Sequence, residues 1–413
     1  MGSLGLALLG GLIACGGSSA PDAAAGLPIP SQPIPATYFG MHLHHAGHTR
    51  PWPDLSFGAY RSHDSFGTRW AQVQPERGRW DFTRLDQMIL MSRARGIDVL
   101  VTLGHTPAWA AARPQDRSAY GPYMAGGPSE PAQIDDWRLY VRTLGQRYKG
   151  LVQTYEVWNE PDAPGFWTGS IEKLIEMTQI ARYELKKIDP SITLVSPSPS
   201  GIGEAWFQKF LAAGGGRFVD VIGYHLYLPE LAQPEEARAT IERIRALLRQ
   251  HNLQHLPLWN TESTVGRSPR TVYEGEKGAG ILARALVLYW LNGVERFYWY
   301  SWDNRTHTGV PLVGEDMVTP NQAAQAYSRV YGWLVGATVI GARTEPGGTW
   351  VVGLKMASGQ RAWLVWNPSG RLAFSIPRKW QARQVAPLLG DLRNLANPTQ
   401  TTADELPKLL LAD

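Results

Sequence analysis

Two acidic residues stand where their carboxyls could work as a pair. Glu160 lies in the run Trp158-Asn159-Glu160-Pro161, and Glu262 lies in Trp259-Asn260-Thr261-Glu262-Ser263, 102 residues further on. Each follows a short apolar, β-rich segment, which places each at the C-terminal end of a strand. Two carboxyls about 5 to 5.5 Å apart can cleave a glycosidic bond with retention. One protonates the departing oxygen while the other attacks the anomeric carbon. A single Asn-Glu-Pro is a common turn, because Asn tolerates a left-handed backbone and Pro stops the strand. The pairing of two such acids at two strand ends, each beside a tryptophan, is what carries the reading.

The chain has 413 residues, 17 of them tryptophan, and twelve of those fall between Trp52 and Trp302. Most of these indoles pack in the core, but indole faces also suit the apolar faces of sugar rings, so those at strand ends are candidates for substrate contact. The formal net charge is only +4. No run of Lys or Arg is interleaved with aromatics, which argues against a nucleic-acid partner. His42, His44, His45 and His48 crowd one segment with no Cys or second His cluster to complete a metal site, so neither a metal nor a cofactor is expected.

The elements that must position these acids follow from alternation. Strand patterns at Tyr38 to His44, Ser65 to Val73, Ile97 to Leu103, Val152 to Trp158, Ile192 to Ser196, Val219 to Tyr224, Leu256 to Thr261 and Val294 to Ser301 are separated by amphipathic helical runs. The clearest helices are Ile134 to Tyr148, Ile171 to Ile188 ahead of Asp189-Pro190, Glu204 to Ala212, Pro234 to His251, Lys277 to Leu291 and Asn321 to Leu334. A further helix is expected from about Thr83 to the C′ glycine Gly96, and a poorly patterned one within Pro51 to Ser62. Eight βα units of this size predict an α/β fold, a (β/α)8 TIM barrel over residues 37–335, with its site at the C-terminal ends of the strands. Residues 336–413 switch to short alternating strands with turns at Ala357-Ser358-Gly359 and Asn367-Pro368-Ser369-Gly370, which predicts a small β-sandwich-like accessory domain. The segment before Tyr38 could donate a strand to it.

The two acid motifs resemble glycoside hydrolase clan A, whose barrels carry an Asn-Glu-Pro acid/base on strand 4 and a glutamate nucleophile on strand 7. The likeness extends over most of residues 38–335. It includes Arg69-Trp70, Gln74-Pro75-Glu76-Arg77-Gly78, Trp80-Asp81-Phe82, Thr106-Pro107-Ala108-Trp109, His225-Leu226-Tyr227 and Tyr298-Trp299-Tyr300-Ser301-Trp302. Family 39 of that clan, including its bacterial exopolysaccharide-type glycosidases, is the most similar. The resemblance implies Glu160 as acid/base and Glu262 as nucleophile, with Asn159 on the sugar 2-hydroxyl, Tyr227 bonded to the nucleophile and Trp302 under the sugar. Burial beside Trp158 and a nearby Glu262 would keep Glu160 protonated, and donors such as Tyr227 and Arg69 would keep Glu262 ionised. His42, His105, Trp109, His225 and Asp303 complete the candidate substrate-binding set.

At the N-terminus, Leu12-Ile13-Ala14-Cys15 ends an apolar tract too short to span a bilayer. It looks like a bacterial lipobox, so residues 1–15 read as a lipoprotein signal with Cys15 the lipidation site, and residues 16–36 as a flexible tether. That predicts a periplasmic or surface lipoprotein of the cell envelope, touching membrane only through its anchor, or else a secreted protein. Such a location favours an endo-acting hydrolase of extracellular polysaccharide. Two alternatives stand beside it: an exo-acting, β-xylosidase-like enzyme, which the long stretch from Arg113 to Pro131 could wall in, and a non-catalytic carbohydrate-binding lipoprotein.

Overall fold

The computed structural model describes residues 22–229, 231–266 and 269–412, and in it the strand and helix patterns resolve into a barrel and a second β layer. The barrel strands are β1 (Phe39–His42), β2 (Ala59–Arg61), β3 (Asp98–Leu103), β4 (Thr154–Val157), β5 (Thr193–Val195), β6 (Ile222–Tyr224), β7 (Leu258–Ser263) and β8 (Val294–Trp299). They pair in parallel in the order β5-β4-β3-β2-β1-β8-β7-β6. The seam between β5 and β6 is closed by the Ser196 amide, which donates to the Val221 carbonyl at 2.9 Å. The intervening helices are α1 (Trp70–Val73), α2 (Thr83–Arg93), α3 (Ile134–Arg147), α4 (Ile171–Ile188), α5 (Glu204–Ala212), α6 (Ala237–Gln250), α7 (Gly275–Leu291) and α8 (Gln322–Leu334). Local chemistry sets their ends: the Ser170 hydroxyl accepts from the Lys173 amide to start α4, and Asn321 does the same for two amides of α8. Among the described residues no helix is long and apolar enough to cross a membrane.

The second strand departs from expectation. It is Ala59–Arg61, not Ser65 to Val73, and the expected helix within Pro51 to Ser62 does not form. Residues 70–73 form a helical turn whose Trp70 and Ala71 amides donate to the carbonyls of Gly104 and His105, which carries that run away from the sheet. A strand of three residues has no room for alternation, so no periodic signal marks it.

Successive inward positions on the strands form layers inside the barrel. Ala59, Leu100, Val195, Val221, Trp259 and Tyr298 make an apolar floor. Gly40 is required beside it, because a Cβ there would come within 2.5 Å of the Tyr298 ring. Further along β2, β3, β4 and β7 the layer turns polar, with buried Arg61, Thr102, Glu156 and Thr261 under the mouth.

After α8 come β9 (Thr338–Thr344), β10 (Trp350–Lys355), β11 (Arg361–Trp366), β12 (Leu372–Ser375), β13 (Ala382–Pro387), β14 (Arg393–Asn394), β15 (Gln400–Ala403) and β16 (Lys408–Ala412). Six form an antiparallel sheet, β14-β13-β16-β11-β10-β9, and β12 pairs with β15. Alternation along β10 and β11 sends Val352, Leu354, Leu364 and Trp366 into the core shared with the barrel. Val351, Trp363 and Val365 point the other way, into a small core closed by Phe374 and Trp380. Among the described residues, the segment before Tyr38 donates no strand to this sheet. From Asp22 onward, part of the expected tether is fastened: Ile34 exchanges backbone bonds with Gly336 and Ala337, and Asp22 accepts from the Thr344 amide at 2.7 Å. Cys15 lies outside the described residues.

Candidate active site

At the end of β4 the chain turns through two left-handed residues, Trp158 (φ 62°) and Glu160 (φ 43°). Such conformations cost about 1–3 kcal/mol each in residues other than glycine, and persist only where their surroundings hold them. Here the Glu160 amide donates to the Ser198 carbonyl at 2.9 Å, and the Trp158 indole donates to the Phe166 carbonyl at 2.7 Å. Gly104 is needed opposite, since a Cβ there would meet the Trp158 ring at 2.9 Å. The turn delivers the Glu160 carboxyl to the mouth.

Glu262 rises from β7. The Asn260 side chain, two residues earlier, accepts from the Leu226 amide at 3.0 Å, so the loop after β6 is pinned with His225 and Tyr227 facing the acids. Tyr227 donates to Glu262 Oε1 at 3.0 Å. His225 Nδ1 lies 2.9 Å from Glu160 and 3.9 Å from Glu262. One carboxylate oxygen from each glutamate lies within 4.8 Å of the other. Burial lowers the His225 pKa to about 4, so its ring is neutral above that pH, dividing one N–H and one lone pair between Nδ1 and a buried Nε2 without a protein partner.

Beneath the pair sits a residue that sequence reasoning missed. Arg61, fully buried on β2, donates through Nε to Glu156 at 2.7 Å, through Nη1 to Glu262 at 2.9 Å and through Nη2 to Asn159 Oδ1 at 2.8 Å. Glu156 is buried on β4, two residues before Trp158, and also accepts from Thr102 at 2.8 Å and Ser198 at 2.6 Å. Arg61 therefore takes the place expected for Arg69, which makes no hydrogen bond to Glu262. The error follows from the misplaced second strand, and the available signal was a charged residue in each of the short β-rich runs Ala59-Tyr60-Arg61 and Thr154-Tyr155-Glu156-Val157. Because a guanidinium can only donate, it also fixes the Asn159 side chain with its oxygen, not its amide nitrogen, toward Arg61.

Other candidates are redistributed. Both ring nitrogens of His42 are engaged by protein, Nδ1 with Asp64 at 2.5 Å and Nε2 with the Thr261 carbonyl at 2.9 Å, so His42 braces β7 and is not open to a sugar hydroxyl. The Asp303 carboxylate accepts from the amides of His44, His45 and Ala46 at 2.8, 2.7 and 2.6 Å, which folds the loop after β1 and leaves nothing for substrate. Trp302 lies in the apolar core, while Tyr300 stands at the site, bonded to His44 at 3.2 Å with its ring edge-on to His42. Trp109 packs under the Arg77 guanidinium and donates to the Gln74 carbonyl at 2.8 Å, a structural position. His105 is buried beside the Trp158 ring, with neither ring nitrogen bonded to protein.

Residues 50–289 match the family model of glycosyl hydrolases family 39. A β-xylosidase of Geobacillus stearothermophilus is 26% identical over 234 residues, which is 50% of this chain and 45% of that relative's length. Among solved structures, a family 39 glycoside hydrolase from Bacteroides cellulosilyticus superposes with a TM-score of 0.70 at 17% identity, covering 93% of this chain and 82% of that one. A β-xylosidase from Caulobacter crescentus does so with a TM-score of 0.67 at 17% identity, covering 93% and 98%. At those identities the likeness is one of fold.

Proposed function

The chain belongs to glycoside hydrolase family 39, and from that premise we propose that it hydrolyses O-glycosidic bonds with retention, using Glu160 as acid/base and Glu262 as nucleophile. The observation that carries this is the approach of the two carboxylates to within 4.8 Å, a separation that leaves no room for a water between nucleophile and sugar. In the first step a Glu262 oxygen bonds to the anomeric carbon as the glycosidic C–O bond breaks and the Glu160 proton passes to the leaving oxygen. In the second, Glu160 takes a proton from water, whose oxygen displaces Glu262. Tyr227 and Arg61 hold Glu262 in line, and the Asn159 amide faces the 2-hydroxyl.

Exo action is the mode we favour. The loop after β3 is tied across to the loop after β4, with Ala119 donating to the Gly165 carbonyl and Thr168 to that of Pro128, both at 2.9 Å. It carries Tyr120 inward onto His63 at 2.6 Å, which walls one end of the mouth. The name of the Geobacillus relative supports the same reading. Endo action on an extracellular polysaccharide rests only on the expected envelope location, and that location rests on the sequence around Cys15. Proton NMR of the first product formed from an aryl glycoside tests the mechanism: the substrate's anomeric configuration should be kept, and inversion would overturn the assignment. Size analysis of early products from a reducing-end-labelled oligosaccharide tests the mode: unlabelled monosaccharide and a labelled chain one residue shorter are expected, and labelled fragments shortened by several residues at once would overturn exo action.

The pH profile is a second test. Burial raises the Glu262 carboxyl above its ordinary 4.5; His225 opposes this, while Glu160 and Asp64 add to it. Donors such as Tyr227 and Arg69 were expected to favour the ionised form, and burial outweighs them. Glu262 must be ionised to attack, so activity disappears as pH falls through its raised pKa. The acid limb of kcat/KM should lie above 4.5. An acid limb below that value would show that Glu262 is not the group being titrated.

A further inference from the structure

The three loops nearest the acid/base are fastened into one rim. The Glu160 amide donates to the Ser198 carbonyl at 2.9 Å, and just beyond it the Asp162 carboxylate accepts from the Ser200 amide at 2.8 Å and from the Ser200 hydroxyl at 2.5 Å. The His225 amide donates to the Pro199 carbonyl at 3.0 Å, and a Cβ on Gly201 would come within 2.9 Å of the Tyr227 side chain. The loops after β4, β5 and β6 are therefore held together around Glu160.

Two side chains on this rim are out of keeping with their positions. The Gly203 amide donates to the Ser200 carbonyl at 2.9 Å and the Ala232 amide to the Pro229 carbonyl at 3.0 Å, closing one turn on the loop after β5 and another on the loop after β6. The third place in the first turn is Ile202 and in the second Leu231, where small or polar residues are usual. Leu231 lies there in the left-handed region, at φ 69°, a conformation that crowds any side chain carrying a Cβ. Among the described residues these are also the two most exposed large hydrophobic side chains, Ile202 at 94% and Leu231 at 70%. A lone exposed aliphatic residue is ordinary. Two of them at turn positions that disfavour them, on adjacent loops beside the acid/base, point to a ligand that covers them.

The leaving group departs past Glu160, which protonates it, so it meets the rim that carries Ile202 and Leu231. Both side chains are aliphatic. They offer no hydrogen bond to a hydroxyl and no flat ring face to a sugar. We propose that this rim binds the aglycone, and that the aglycone is an aliphatic chain, so that the enzyme releases a sugar from an alkyl glycoside. Covering Ile202 and Leu231 with such a chain takes apolar surface out of water on both partners, in proportion to the length covered. A methyl aglycone is too short to do so. Ile202 and Leu231 are specificity residues here, and the proposal rests on the retaining-hydrolase reading for the side on which the leaving group departs.

The test is a series of methyl, butyl and octyl glycosides, whose leaving alcohols differ in length but little in acidity. They are made on whichever sugar the protein releases fastest from a panel of aryl glycosides, and are used below their micelle concentrations. Wild-type kcat/KM should rise about tenfold or more from methyl to octyl. In a chain carrying both Ile202→Ser and Leu231→Gly the octyl-to-methyl ratio should fall to about one or two. Leu231→Gly alone should lower the ratio without lowering the melting temperature, because relief of the left-handed backbone offsets the greater freedom of glycine in the unfolded chain. A lower melting temperature would mark Leu231 as a packing residue and remove it from the rim. A wild-type ratio near one would overturn the aliphatic aglycone and leave the hydrolase standing. A protein inert on every aryl glycoside would remove the hydrolase instead. The rim is then read by calorimetry with octyl and methyl β-glucoside: octyl binding lost in the double variant keeps the apolar rim, and no octyl binding removes it. A dimer in sedimentation that the double variant dissociates would assign the rim to a second copy and overturn the proposal.

Discussion

Glu262→Ala should lower kcat on an aryl glycoside by about ten-thousandfold or more, the scale seen when a covalent nucleophile is removed and the rest of the site is left to act alone. The loss has a diagnostic signature. The cavity left by the carboxylate lies beside Tyr227 and His225, so added azide should enter it and attack the anomeric carbon from the same face. Rate should return in proportion to azide, with a glycosyl azide of inverted configuration as product. Glu160 supplies the control: a Glu160→Ala chain should keep substantial turnover of substrates with very good leaving groups, which do not need the proton. Full activity in Glu262→Ala, or rescue in neither variant, would remove the double-displacement reading.

Arg61→Met should give the largest loss of stability of any single change at the site. The side chain is fully buried and neutralises two carboxylates at once, Glu156 and Glu262. Breaking a buried ion pair by removing one partner costs about 3–5 kcal/mol, because the remaining charge stays buried. Urea unfolding should show that loss as a shift in midpoint with an unchanged slope. Arg61→Met combined with Glu156→Gln should recover much of the stability, since the stranded charge is gone. It should not recover activity, because nothing then orients Glu262 or fixes Asn159. A single Arg61→Met variant as stable as the wild type would mean that water reaches this layer and that the network is not dry.

Much of this was readable before any fold was known, because the signals were local. α4 and α5 have the bounds that periodicity and the Asp189-Pro190 stop predict. The apolar run at Asp98–Leu103 is a strand buried on both faces. Glu160 and Glu262 were legible because their flanking residues are bulky and unusual, and because a barrel requires its site at strand ends. The loop after β3 was recognisable by length as a possible wall.

Other features depended on distance in space. Nothing near Arg61 in sequence reveals that a three-residue strand would set it beneath two acids from β4 and β7, and the helix-forming segment at 70–73 drew the strand assignment to the wrong place. His42 and Asp303 were expected to face substrate on residue type alone. The tertiary structure assigned His42 to Asp64 and Thr261, and Asp303 to three backbone amides. Periodicity and strand-end position, being properties of neighbours along the chain, marked out the barrel and the second β layer and singled out Glu160 and Glu262 as the candidate pair. Which polar groups are satisfied by protein and which are left for a ligand came only with the folded chain, because hydrogen-bond partners in a barrel come from strands far apart in sequence and a buried donor takes the acceptor that packing brings to it.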